Sequence, residues 1–106
     1  MKIIEEKFKE FNVIKLSGNF EMLNIKQFQK IMDKYIETGI KNIIIDLKEL
    51  IYMDSSAIGI SLYYSKKFKE NGKFYLINVP NSIYELFVIT SVVDIISIFN
   101  SYEEVI

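Results

Sequence analysis

Ile43-Ile44-Ile45-Asp46-Leu47 is an almost unbroken apolar, β-branched run. It lacks period-two alternation, so it reads as a strand covered on both faces, or at least lying deep inside a sheet. Such a strand needs neighbouring strands and packed helices, and its flanks supply both. Upstream, Ile25, Phe28, Ile31, Met32, Tyr35 and Ile36 recur at helical spacing, with Asn24 and Gln27 as a capping box and Gly39 as a stop. Downstream, Asp54-Ser55-Ser56 offers N-cap residues ahead of Ala57, Ile58, Ile60, Leu62, Tyr63, Tyr64 and Phe68, and Asn71-Gly72 ends that pattern. A second helix is therefore predicted from Ser55 or Ser56.

The rest of the chain continues the alternation. Residues 3–8 and 12–17 read as a β-hairpin broken at Lys9-Glu10-Phe11. Residues 74–79 read as a strand, Pro80-Asn81-Ser82 opens a third helix, and residues 95–99 form a short last strand before a helical start at Ser101-Tyr102-Glu103-Glu104. The expected fold class is α/β: an N-terminal hairpin followed by alternating strands and helices, giving a mixed β-sheet with right-handed crossovers and helices packed on it. With 106 residues, half of them apolar, residues 1–106 are expected to form one domain.

Composition removes several functional classes. Thirteen basic residues, all of them Lys, nearly cancel 14 acidic ones, so no strong field points to a nucleic-acid partner. Cys and His are absent, which excludes a thiolate nucleophile, an imidazole base and a zinc site built from sulfur or nitrogen ligands. Glu5 and Glu6 interrupt any secretory signal at the N-terminus, and the apolar stretch Leu86 to Val93 is too short to span a bilayer. A cytoplasmic protein without direct membrane insertion is the expectation.

The segment from Leu47 to Gly59 carries the most functional information, because it runs from the end of a buried strand to the start of a helix. Open α/β sheets bind ligands at such strand ends, and a helix N-terminus favours anions. A phosphate on Ser55 suits that position, and beside Asp54 it remakes the surface charge. From spacing alone, two readings stand: Asp54 and the serines simply cap a helix, or Ser55 is a modified residue in a partner surface. Catalysis finds no constellation. Asp46 and Asp54 as an acidic pair need further clustered carboxylates for Mg²⁺ near the first strand, and Glu5 and Glu6 lie in the wrong kind of strand. Ser55 as a nucleophile lacks a base. No catalytic residue, cofactor or metal is expected. Lys66, Lys67, Lys69 and Lys73 read as a solvated helix end, and the aromatics as core.

Ile43-Ile44-Ile45-Asp46-Leu47 followed by Met53-Asp54-Ser55-Ser56-Ala57-Ile58-Gly59 resembles the signature of the STAS domain, in particular of bacterial anti-sigma factor antagonists. The resemblance extends to the hairpin, Gly18, Asn71-Gly72 and the Asn78-Val79-Pro80 turn. It implies a signalling protein in transcription regulation that binds an anti-sigma factor with Ser/Thr kinase activity and so frees a sigma factor. It further implies phosphorylation at Ser55, with Ser56 as second choice, which abolishes binding until a Ser/Thr phosphatase resets it. The implied partner surface comprises Asn19, Glu21, Asp54, Ser55, Ser56, Ala57 and Ile58, with the loop carrying Asn19 and Glu21 lying close to Ser55. The chain departs from the family pattern at Ala57, where Gly is usual and where a methyl is added to the face a kinase approaches. It departs also at Glu21, where Asp is usual, and at Thr90-Ser91-Val92. The alternative is a structural STAS subunit of a signalling scaffold or lipid-transport complex without a phosphate cycle, which Ala57 favours. A small-ligand binding domain is a third reading.

Overall fold

The computed structural model describes all of Met1–Ile106. Strands β1 (Lys2–Phe8) and β2 (Phe11–Phe20) form an antiparallel hairpin. There follow α1 (Ile25–Glu37), β3 (Asn42–Met53), α2 (Ser55–Lys69), β4 (Lys73–Ile77), α3 (Asn81–Ile89) and β5 (Ser97–Phe99). The sheet order is β1-β2-β3-β4-β5, and β2 through β5 run parallel. Each parallel strand lies beside its predecessor, so crossovers of one hand place all three helices on one face. That face carries the main core, in which Ile14, Leu16, Ile43, Ile45 and Leu47 meet Phe28, Met32, Ala57, Tyr64, Phe68, Ile83 and Phe87.

The opposite face holds a smaller cluster, Phe11, Val13, Ile44 and Ile77, covered in part by Phe8, Tyr75, Phe99 and the terminal residues Tyr102 and Val105. Ile43 and Ile45 thus face the helices while Ile44 faces the second cluster. Both faces are dry, which is why the run shows no alternation. Asp46 also lies on the second face, as a buried carboxylate. It accepts from the Tyr102 hydroxyl (2.8 Å), the Asn78 side-chain amide (3.3 Å) and the Lys48 N–H (3.0 Å). These charge-assisted bonds pin the C-terminal turn Tyr102–Val105 to the sheet. Asp46 and Asp54 share no partner, so the acidic-pair arrangement is not formed.

Four expectations are corrected. Strand β3 continues to Met53 instead of ending near Leu47, because the far half of β2 stays paired with it through two register shifts, at Lys15/Ser17 and at Gly18/Asn19. Gly18 adopts φ +88 between them, a conformation open to glycine at low cost. The capping box at the start of α1 lies three residues earlier than expected: the Glu21 N–H donates to Asn24 Oδ1 (3.3 Å), and Met22–Asn24 form a 3₁₀ turn leading into the helix. Strand β4 stops at Ile77, since Asn78 turns to φ +56. The last strand is shorter than expected, Ser97–Phe99, and the terminal helical start closes as a 3₁₀ turn.

Two stability predictions follow from the packing. Ser65 Oγ is buried without a hydrogen-bond partner, whereas Ser61, one turn earlier, bonds back to the Ala57 carbonyl (2.8 Å). An unpaired buried hydroxyl costs about 1 kcal/mol or more, so Ser65→Ala is expected to raise the urea midpoint; an unchanged or lower midpoint contradicts the assignment. The second concerns alkali. Tyr35, Tyr64 and Tyr102 donate to Glu5, Asp33 and Asp46, and burial first, then these carboxylates, push each phenol well above the ordinary tyrosine range. A pKa raised by folding means stabilisation that is complete below the unfolded value of about 10 and lost as pH climbs toward the folded values. Tm is therefore expected to fall above pH ~10, with a shallower fall in Tyr102→Phe; identical profiles for that variant and the parent exclude Tyr102 as a contributor.

Candidate functional site

The long strand β3 ends on Met53, whose side chain is buried, and the chain passes directly into α2. Asp54 sits between them with extended backbone (φ −95, ψ 178) and is the N-cap of α2. Its carboxylate spans two elements. Oδ1 accepts from the Ala57 N–H (2.9 Å), satisfying a free donor of the first helical turn, and Oδ2 accepts from the Met22 N–H (3.0 Å). The Asp54 N–H in turn donates to the Phe20 carbonyl (3.1 Å). One residue thereby locks the loop after β2 against the start of α2.

Ser55 is the first residue of α2 and is exposed. Ser56 is half-buried, while Ala57 and Ile58 turn inward and are 0% and 8% exposed. The Ala57 methyl therefore lies in the core and not on the exposed face of α2, which corrects the expectation that it adds bulk to that face. Buried in the core, Ala57 and Ile58 offer no surface to a partner, which corrects their place among the expected partner-binding residues. Glu21 is half-buried and Asn19, paired in register with Tyr52, is exposed. The structure thus brings Glu21 and its neighbour Met22 up to Asp54, and Asn19 to the far end of β3. No group of three or more carboxylates is arranged to hold a metal.

Sequence reasoning missed the apolar part of this surface. Met22 and Leu23 are 69% and 89% exposed, and Ile51, Tyr52 and Tyr63 are at least half exposed. A shallow, open depression of about 520 Å³ lies between α1 and α2, lined by Met22, Ile25, Ile60 and Tyr63 and reaching Ser56 and Gly59. The signal was present: Met22 and Leu23 precede the periodic part of α1, and α2 carries apolar residues on more faces than one core requires.

A five-stranded sheet in order β1-β2-β3-β4-β5, with all helices on one face and an exposed serine where the longest strand becomes a helix, defines a small α/β domain of one architecture. It is the architecture of the STAS domain, and the chain belongs to that family, whose model matches residues 3–105. The anti-sigma-B factor antagonist of Staphylococcus aureus is 25% identical over 90 residues, covering 84% of this chain and 83% of the relative. An anti-sigma factor antagonist from Mycobacterium paratuberculosis superposes with a TM-score of 0.86 at 15% identity, covering 97% of this chain and 88% of the other. The Bacillus cell fate determinant SpoIIAA in its phosphorylated form superposes with a TM-score of 0.75 at 21% identity, covering 98% and 96%. These structures share the fold. No helix of the chain is long and apolar enough to cross a membrane.

Proposed function

We propose that the protein is an anti-sigma factor antagonist that binds an anti-sigma factor with Ser/Thr kinase activity through the surface around Ser55, and that phosphorylation of Ser55 ends that binding. The observation that carries the reading is the exposed Ser55 at the first position of α2, next to an Asp54 carboxylate already committed to the Ala57 and Met22 N–H groups. In the switching step the kinase transfers the terminal phosphoryl group of a nucleoside triphosphate to Ser55 Oγ, which gives up its proton, and the diphosphate leaves. A Ser/Thr phosphatase reverses it by hydrolysing the ester with water, releasing inorganic phosphate. The added charge of about −1.5 to −2 lies beside Asp54 and competes for the same helix-start donors. That competition strains the Asp54–Met22 contact and changes both the shape and the charge of the partner surface.

Ser55 is favoured over Ser56 because it is exposed, whereas Ser56 is half-buried. The relatives named as anti-sigma factor antagonists support the partner class. The scaffold or transport-subunit alternative rested on Ala57 obstructing a kinase, and the inward methyl removes that support. The test is co-purification of the protein with an anti-sigma factor kinase from the producing cells, with the modified residue located by fragmentation. Co-purification only with transporter or scaffold subunits contradicts the proposal.

A further inference from the structure

Strand β1 (Lys2–Phe8) is an open edge of the sheet: β2 lies on one side and no strand pairs with the other. It is seven residues long, carries no proline and runs without a register shift, whereas the opposite edge, β5, has three residues. A long edge of this kind offers unpaired backbone groups to another strand. The hairpin tells which groups these are. Its two-residue loop makes Phe8 and Phe11 a hydrogen-bonded pair, so Glu6, Ile4 and Lys2 also turn their backbone groups toward β2, and Ile3, Glu5 and Lys7 turn theirs outward. Side chains alternate as well: Ile3 and Glu5 face α1, where Glu5 accepts from Tyr35, while Lys2, Ile4 and Glu6 lie on the helix-free face. Ile4 is 42% exposed, and Lys2 forms no ion pair. Glu6 meets the Lys15 ammonium through Oε1 (2.7 Å), and its side chain is 48% exposed.

We propose that β1 pairs antiparallel with β1 of a second copy of this chain, in the register centred on Ile4, joining two five-stranded sheets into one. Backbone direction and charge select that register. An offset of one residue sets outward-turned groups against groups already used by β2. Centring on Glu5, Glu6 or Lys7 places that residue opposite its own copy, like charge on like, which destabilises a cross-strand pair. Centring on Ile3 sets Lys2 against Ile4 and leaves Glu6 outside the pairing. Centred on Ile4, Ile3 and Glu5 exchange backbone hydrogen bonds with Glu5 and Ile3 of the second copy. Ile4 meets Ile4 with Cα atoms about 4.5 Å apart, and Lys2 lies opposite Glu6 on both sides of the axis. The two-fold axis is perpendicular to the sheet, so the helices of both copies share one face while the starts of α2 lie at opposite ends. Both Ser55 surfaces stay open, and the inference stands apart from the antagonist reading.

The test is sedimentation equilibrium of the full chain, comparing the parent with Lys2→Glu, Glu6→Lys and the exchanged variant Lys2→Glu/Glu6→Lys. An interface this small is expected to dimerise the parent with a Kd of about 10–100 µM. Each single variant is expected to raise that Kd at least about tenfold, because it sets like charges opposite one another twice per dimer. The exchanged variant restores both pairs and is expected to return to within about threefold of the parent, as is an equimolar mixture of the two single variants. All are expected to melt close to the parent, since an exposed ion pair such as Lys15–Glu6 contributes little to folding. Ile4→Cys keeps the test decisive if a charge variant fails to fold. The chain has no other cysteine, so oxidation by glutathione disulfide is expected to link two copies through that residue, whereas Tyr84→Cys, comparably exposed on α3, stays unlinked. A parent that remains monomeric at about 1 mM, a dimer indifferent to both single variants, or a loss that the exchange does not restore overturns the proposal.

Discussion

Ser55→Asp is expected to weaken binding to the anti-sigma factor about a hundredfold, equivalent to ~2.8 kcal/mol, while Ser55→Ala stays within about threefold of the parent. The loss comes from charge. An aspartate at this position lies beside Asp54, whose two oxygens already hold the Ala57 and Met22 N–H groups, and a second anion competes for them and adds like charge to the same surface. Folding is expected to respond in the opposite direction, because an acidic residue in the first turn of α2 interacts favourably with the helix dipole by about 0.3–1 kcal/mol. Lost binding at unchanged or raised Tm therefore separates a switch from a damaged fold. Equal affinity for Ser55→Asp and the parent, measured by calorimetry at low salt, contradicts the switch.

Gly72→Ala is expected to destabilise the protein by about 3 kcal/mol. A Cβ at Gly72 falls 2.0 Å from the Lys41 carbonyl oxygen and 2.7 Å from its carbon. That carbonyl is held in place by the Lys73 N–H (3.1 Å) at the start of the β3–β4 pairing, so relief requires moving one strand end against the other. The same substitution at Gly59, over open space, is expected to stabilise by up to ~1 kcal/mol through helix propensity. Urea unfolding of the two variants reads both signs in one experiment. A loss below about 1 kcal/mol for Gly72→Ala shows that the strands approach less closely than described.

These two glycines also show how far the sequence could be read. Asn71-Gly72 was legible as the end of a helix, but its reason was not: Gly72 lacks a positive φ, α2 already ends at Lys69, and the glycine is required by a carbonyl thirty-one residues away. Long-range approach leaves no local pattern. The order of strands and helices, the burial of Ile43 to Leu47 and the start of α2 at Ser55 were legible because each rests on local periodicity or capping chemistry. The continuation of β3 to Met53 was not, since Lys48 and Glu49 interrupt the apolar run and only pairing with the far half of β2 keeps those residues extended.

At the site, Asp54 was legible as a cap, and its accepted bond from Ala57 is the local half of its role. Its bond from the Met22 N–H joins residues thirty-two apart and was visible only once the sheet brought the two loops together. The inward direction of Ala57 was likewise hidden, because the first turn of a helix can present its third residue to core or to solvent until the sheet beneath it is placed.

The central claim is that an exposed serine at the start of α2 governs partner binding. It is tested most directly by incubating the protein with the purified anti-sigma factor kinase and a nucleoside triphosphate, locating the modification by fragmentation mass spectrometry, and titrating the modified and unmodified forms against the same kinase. The account predicts a single phosphate on Ser55 and tight binding by the unmodified form alone. A phosphate elsewhere, or equal binding by the two forms, contradicts it.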